Sequence, residues 1–192
     1  VISNMGMLSE KLKSLVANNK KALLAYIVAG DPEPRVTVPL MHRLVESGVD
    51  VIELGVPFSD PEAEGPVIQL AHERALAHNV SLGNCLEMAA EFRQSDKVTP
   101  IVLMGYLNPV ETMGYENFAA KASRAGVNGT IIVNLPPEEA VDMSAILEAN
   151  DIEPVYLLAP TTTDERARMI CQASKGFVYY VSLKGTTGAG NL

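Results

Sequence analysis

Tryptophan is missing from the 192 residues, cysteine occurs twice, aromatic residues reach only 5%, and basic residues are outnumbered 23 to 15 by acidic ones. The formal charge of -8 offers no basic field to a nucleic-acid backbone or an anionic membrane surface, so neither is expected as a partner. Cys85 and Cys171 form no CxxC or Cys/His metal spacing, which argues against a disulfide framework; both are read as reduced, packed thiols of a cytoplasmic protein. His42, His72 and His78 lie in helical stretches without a cysteine or acid at ligand spacing, so each is read as a surface or packed histidine and no metal is implied. No apolar run approaches the ~20 residues of a membrane helix. The opening "VISNMGMLSEKLKSLVANNKK" has no apolar signal-peptide core, and Met5 or Met7 is taken as the native start. No GxGxxG follows the first strand-like run and no GxxxxGK[ST] occurs, which removes the two common glycine-rich phosphate cradles. There is no linker or low-complexity tract, so residues 1–192 are read as one domain.

What is present is a regular alternation. With 47% hydrophobic residues the chain can bury a sizeable core. Six short apolar runs, at 22–30, 49–55, 100–106, 129–135, 154–160 and 177–183, are continuous rather than alternating, which is the mark of strands covered on both faces in a parallel sheet. Between and after them the pattern predicts helices at about 36–47, 66–78, 83–94, 115–125, 138–149 and 163–174, with a leading helix at 8–18 placed to cover the bottom of the fold. "ESGVDVIEL", "RAGVNGTII" and "EANDIEPVYL" place Gly or Asn between a helix and the next strand, where a left-handed C-cap is wanted. Polar and special residues gather after every strand: "AGDP", "GVPFSDPEAEG", "GYLNP", "NLPPEE", "APTTTDE" and "SLKGTTGAG". Loops from six successive strands meet better at a barrel mouth than at the crevice of an open sheet. The expected fold is therefore α/β, a (β/α)8 TIM barrel of which the chain holds the first six βα units and an N-terminal helix. Two units and roughly 60 residues are expected to be missing beyond the loop after strand 6.

"IELGVPFSDPEAEGPVIQ" (52–69) resembles the signature of the tryptophan synthase alpha chain family, close to ELG-[IV]-PFSDP-x-A-[DE]-GP-x-IQ. Collinear with it, "YIVAGDP" is similar to F-x-TAGDP, "LMGYLNPV" to LM-x-Y-x-NP, "NLPPEEA" to D-[LV]-PPEE, and "GFVYYVSLKGTTGA" to G-F-[IV]-YYVS-x-x-GVTGA, so the matches span about 22–189. The resemblance implies the same barrel and a lyase of tryptophan biosynthesis that cleaves indole-3-glycerol phosphate to indole and glyceraldehyde 3-phosphate by a retro-aldol step. It also implies an α2β2 heterotetramer with a beta chain. No cofactor is expected on this chain, pyridoxal phosphate being expected on the beta partner alone.

That reaction needs a proton delivered to an indole ring carbon, a proton removed from the neighbouring hydroxyl, and an anion to offset the cationic ring. A carboxyl whose pKa an apolar site lifts toward neutrality can do the proton transfers. Glu53, ending strand 2 among Ile52, Leu54 and Val56, is the expected proton carrier, and Glu64 corresponds to the family's second carboxylate, at the indole N–H. The structural alternatives are a strand-end acid that is simply paired or solvated, and an acid attracted to the helix start at Pro66. Tyr26, Ile68, Tyr106, Tyr179 and the loop residue Thr187 are the expected substrate contacts, core packing being the alternative for each tyrosine. Pro57, Asp60, Asn108 and Pro109 correspond to the family's inter-subunit face; Asp60 in "FSDP" serves equally well as a turn residue, and Glu62 is read as solvated. The substrate phosphate is expected on loops after strands 7 and 8, outside these 192 residues.

Several positions depart from the pattern. Glu64 stands where Asp is frequent, Val28 where Thr is usual, Asn134 where Asp is common, and Thr186 where Val is expected. Two other functions stay open on the sequence: a non-catalytic barrel that docks on and activates a beta chain, and a different phosphate-binding barrel enzyme.

Overall fold

The structure is a computed structural model and describes residues 6–182. Helix α1 (Met7–Ala17) precedes β1 (Leu24–Val28), α2 (Pro34–Glu46) and β2 (Val51–Gly55). Two helices, α3 (Pro66–Ala77) and α4 (Leu82–Phe92), separate β2 from β3 (Ile101–Gly105). There follow α5 (Leu107–Met113), α6 (Tyr115–Arg124), β4 (Gly129–Ile132), α7 (Val141–Ala149), β5 (Glu153–Pro154), β6 (Leu157–Leu158), α8 (Asp164–Ala173) and β7 (Tyr179–Tyr180). Strands β1 to β5 form one sheet in chain order and β6 pairs with β7, all in parallel.

The expected fifth strand, 154–160, is split into β5 and β6 for a geometric reason. Strands of a barrel tilt and stagger, so a short one meets its earlier neighbour with its first half and its later neighbour with its second. Val155 N–H still donates to Thr130 O at 2.8 Å, while Tyr156 O accepts from Tyr179 N–H at 3.0 Å, so the wall is continuous across the break. The same wall gives six strand positions. Among the described residues, β1 pairs only with β2 and β7 only with β6.

Alternation along the strands sorts side chains onto two faces. Ile52, Leu54, Ile101, Leu103 and Ile132 point outward and pack with Met41, Leu86, Phe92, Phe118 and Leu147 of the surrounding helices. Val51, Val102, Ile131 and Val155 point inward and form a separate plug with Leu8 of α1, as the expected bottom-covering helix requires. Leu8 is fully buried, which stabilises the docked helix by roughly 1.5–3 kcal/mol. A second tie holds α1: the buried Glu153 carboxylate accepts the helix N-terminal N–H groups of Leu8 (3.0 Å) and Ser9 (3.2 Å), groups a helix cannot satisfy from within.

Helix ends follow the expected chemistry with one shift. Gly48 and Gly126 take positive φ (101° and 79°), but after α7 the left-handed residue is Asp151 (58°), not Asn150. The segment "LNPVETM", which the sequence pattern places outside the helices, is helix α5. Pro109 falls in its first turn, where the missing N–H is one that has no partner inside the helix anyway. Cys85 is buried, with its thiol pKa pushed up to about 12, whereas Cys171 is exposed, correcting the expectation that both are packed: Ile170 takes the inward position on α8 and its neighbour turns to solvent.

Candidate active site

The inner face carries the site. Register sets Tyr26 of β1 opposite Glu53 of β2, and Leu24 and Val28 opposite Val51 and Gly55, so Glu53 stands one layer above the Leu8 plug. It is 6% exposed, and burial lifts its carboxyl pKa to about 7. The chain neighbours Ile52, Leu54 and Val56, expected to cause that lift, face the helices instead. The apolar surroundings come from other strands, the adjacent β1 and the β7 region: Leu24, Tyr26, Phe177 and Tyr179 line, with Glu53, an open cavity of about 390 Å³.

Glu64 is brought in by the loop 56–65. A turn closes with Glu64 N–H donating to Pro61 O (2.9 Å), and Gln69 Nε2 donates to Glu64 O (2.9 Å), so the residue just ahead of α3 is folded back and buried at 5% exposure. Tyr106 anchors the same loop by accepting Ala63 N–H at 3.1 Å, and its ring stacks on Phe58 with centroids 4.9 Å apart. The field of the two acids reaches common targets: besides burial, Glu64 and Glu53 both push the phenols of Tyr26 and Tyr179 upward, and Glu64 does so for Tyr106. The five groups Glu53, Glu64, Tyr26, Tyr106 and Tyr179 therefore share one mouth.

Ile68 is half-buried on α3 against the helix-facing core. Thr187 and Thr186 lie outside the described residues. Of the positions expected at a partner face, Asp60 and Asn108 are exposed, Pro109 is half-buried, and Pro57 is buried within the chain. The Asp60 carboxylate accepts the Ser59 hydroxyl (2.8 Å) and its carbonyl accepts Glu62 N–H (2.9 Å), the hydrogen bonds of a turn residue; Glu62 itself is exposed. The Asn134 side-chain oxygen accepts Leu107 N–H (2.8 Å) and so completes the start of α5.

One residue of the site carries no motif that marks it in the sequence. His72 is 2% exposed, accepts Phe58 N–H on Nδ1 at 3.0 Å and meets the Tyr26 hydroxyl with Nε2 at 3.4 Å. Its only sequence signal is position: it follows Ile68 by four residues, one helical turn along α3. His42 stacks on Phe92 and His78 lies near the Pro32 carbonyl, both away from the mouth. Among the described residues no cluster of His, Cys, Asp and Glu could hold a metal ion, and no helix is long and apolar enough to cross a membrane.

The sequence and the fold are similar to those of known proteins. The sequence profile of the family described as tryptophan synthase alpha chain matches residues 12–192. The tryptophan synthase alpha chain of Thioalkalivibrio sulfidiphilus is 56% identical over 188 residues, 98% of this chain and 71% of that protein. The crystal structure of tryptophan synthase subunit alpha from Legionella pneumophila superposes with a TM-score of 0.90 at 53% identity, over 94% of this chain and 70% of the other. A chain of the tryptophan synthase α2β2 complex of Pyrococcus furiosus superposes with a TM-score of 0.82 at 43% identity, over 88% of this chain and 67% of that one.

Proposed function

Because the chain belongs to the tryptophan synthase alpha chain family, we propose that its barrel mouth carries out the alpha reaction, the lyase cleavage of indole-3-glycerol phosphate to indole and glyceraldehyde 3-phosphate. One observation carries the assignment of roles: a carboxyl buried on the inner face, with a pKa near 7, at the position where the reaction needs an acid and a base in turn. At neutral pH Glu53 is present in both protonation states. Its protonated form delivers a proton to the indole carbon that bears the glycerol chain; the ring becomes cationic at nitrogen. Removal of the proton from the adjacent hydroxyl then lets the carbonyl form as the carbon–carbon bond breaks, and the bonding pair returns to the ring to give neutral indole. A carboxylate at Glu64, beside the ring N–H, is the group that offsets the transient positive charge. Tyr26, Tyr106 and Tyr179 supply the flat walls that a planar heterocycle needs; Ile68, on α3 behind the site loop, and Thr187, outside the described residues, complete the proposed set of substrate contacts.

The same reading takes residues 1–192 as a single barrel domain, and it places a beta chain against the face of Asp60, Asn108 and Pro109, with Pro57 behind it, in an α2β2 assembly of the kind seen for the Pyrococcus protein. Support for that face is the exposure of Asp60 and Asn108 next to the site loops. Pyridoxal phosphate belongs to the beta chain in this reading, and the enzyme is cytoplasmic.

Indole release from indole-3-glycerol phosphate, followed with the full-length protein alone and with beta chain added, tests the function. Release that rises on adding beta chain is the expected result. No release in either condition would overturn it in favour of a docking subunit without chemistry of its own.

A further inference from the structure

The donor logic of His72 fixes its state. A backbone N–H can only donate, so the Phe58 contact makes Nδ1 an acceptor, and a neutral imidazole then carries its proton on Nε2, the nitrogen facing Tyr26. The Tyr26 oxygen receives that proton as acceptor, leaving the phenol's own proton free to turn elsewhere. Tyr26 stands opposite Glu53 in register and its hydroxyl is packed against Gly55, where an added Cβ would lie 2.4 Å from it, so the ring has little room to swing away. We propose that His72 is a positioning residue for the carboxylate pair: one buried imidazole ties the loop 56–65 to α3 at Phe58 and turns the Tyr26 hydroxyl proton toward the mouth shared by Glu53 and Glu64.

The arrangement joins three chain segments that no local rule would bring together, β1, the loop after β2 and α3. It works only with a neutral imidazole, because a proton on Nδ1 would meet the Phe58 N–H head on. Burial, which pushes the imidazole pKa down, favours that neutral form. The titratable groups around the Tyr26 hydroxyl are Glu53 of β2, Glu64 of the loop, Tyr106 at the end of β3 and Tyr179 of β7. On α3 itself, Glu73 is exposed and Arg74 is taken up by Asp31 at 2.6 and 3.1 Å.

This inference rests on the alpha reaction for its kinetic test and on spectroscopy for a test independent of it. Ring-nitrogen NMR of the full-length protein, with the His72 signals identified by their loss in His72→Leu, is expected to show a bare Nδ1 and a protonated Nε2 at neutral pH. His72→Leu should lower kcat for indole release by roughly tenfold, the scale of one lost hydrogen bond in a buried network, and change KM less. His72→Gln, whose amide N–H reaches about as far as Nε2, should recover much of the loss. In a Tyr26→Phe background the same His72→Leu change should cost clearly less, because its target is gone. A protonated Nδ1 at neutral pH, a His72→Leu enzyme with wild-type kcat, or an equal cost in both backgrounds would overturn the proposal. If wild-type protein releases no indole, the alpha-reaction reading fails, while the ring-nitrogen pattern still decides the state of His72.

Discussion

Glu53 ties stability to pH at the scale of a single residue. Its folded pKa, about 7, lies above the ordinary 4.5, so between those values the folded chain holds a proton that the unfolded chain has released. By linkage, stability is full below pH 4.5 and falls as pH rises through 7. Glu53→Gln cannot ionise and should therefore be more stable than wild type at pH 8, by up to about 3 kcal/mol, and nearly equal at pH 4.5. Denaturant unfolding at the two pH values checks this; equal differences at both would mean that burial does not perturb Glu53. At Glu64, Gln keeps the size and removes the charge, so Glu64→Gln should depress kcat by roughly 100-fold with KM less affected, measured by indole release. Both acids are legible in the sequence because "IELGVPFSDPEAEGP" is aperiodic and specific. Their surroundings are not: Ile52 and Leu54 flank Glu53 in the chain and face away from it, and the residues that do cover it, Tyr26 and Tyr179, are far from it in sequence and lie on other strands. His72 is illegible for the same reason. Its partners, Phe58 and Tyr26, lie 14 and 46 residues away.

Elements are legible where their signal is local. The hydrophobic runs locate every strand position, and the Gly48 and Gly126 caps mark helix ends, because propensity and capping act within a few residues. Two features depend on other parts of the chain and leave no local signal. The division of the fifth strand into β5 and β6 depends on stagger between neighbours, and the first turn of α5 is completed by Asn134 from the loop after β4. Asn134→Ala should loosen α5, whereas Asn134→Asp should keep it or stabilise it by about 0.3–1 kcal/mol, since a carboxylate suits a helix N-terminus; thermal unfolding of the pair distinguishes the outcomes. The tie between α1 and β5 has a larger effect. Glu153→Ala strips two helix N–H groups of their acceptor and should cost about 1–3 kcal/mol, with faster amide exchange concentrated in Met7–Ala17. Unchanged exchange there would show that Leu8 alone holds the helix.

Across the whole molecule, two cores divide the labour. The outer one, between strands and helices, fixes the wall; the inner plug of Leu8, Val51, Val102, Ile131 and Val155 closes the bottom and leaves the polar layer of Glu53 and Tyr26 at the top. Leu8→Ala should therefore destabilise the fold by about 2–5 kcal/mol, by opening a cavity that the β-strands cannot collapse into, and should leave indole-pocket residues in place. Aromatic residues are scarce, yet three of the six tyrosines, Tyr26, Tyr106 and Tyr179, gather at this top layer. Whether Glu53 carries the protons is decided by indole release as a function of pH, followed for the full-length wild-type and Glu53→Gln proteins with beta chain present. Wild-type kcat/KM should be governed by a group titrating near pH 7, and the variant should lose at least ~100-fold at every pH; a variant within a few-fold of wild type would remove Glu53 from the chemistry.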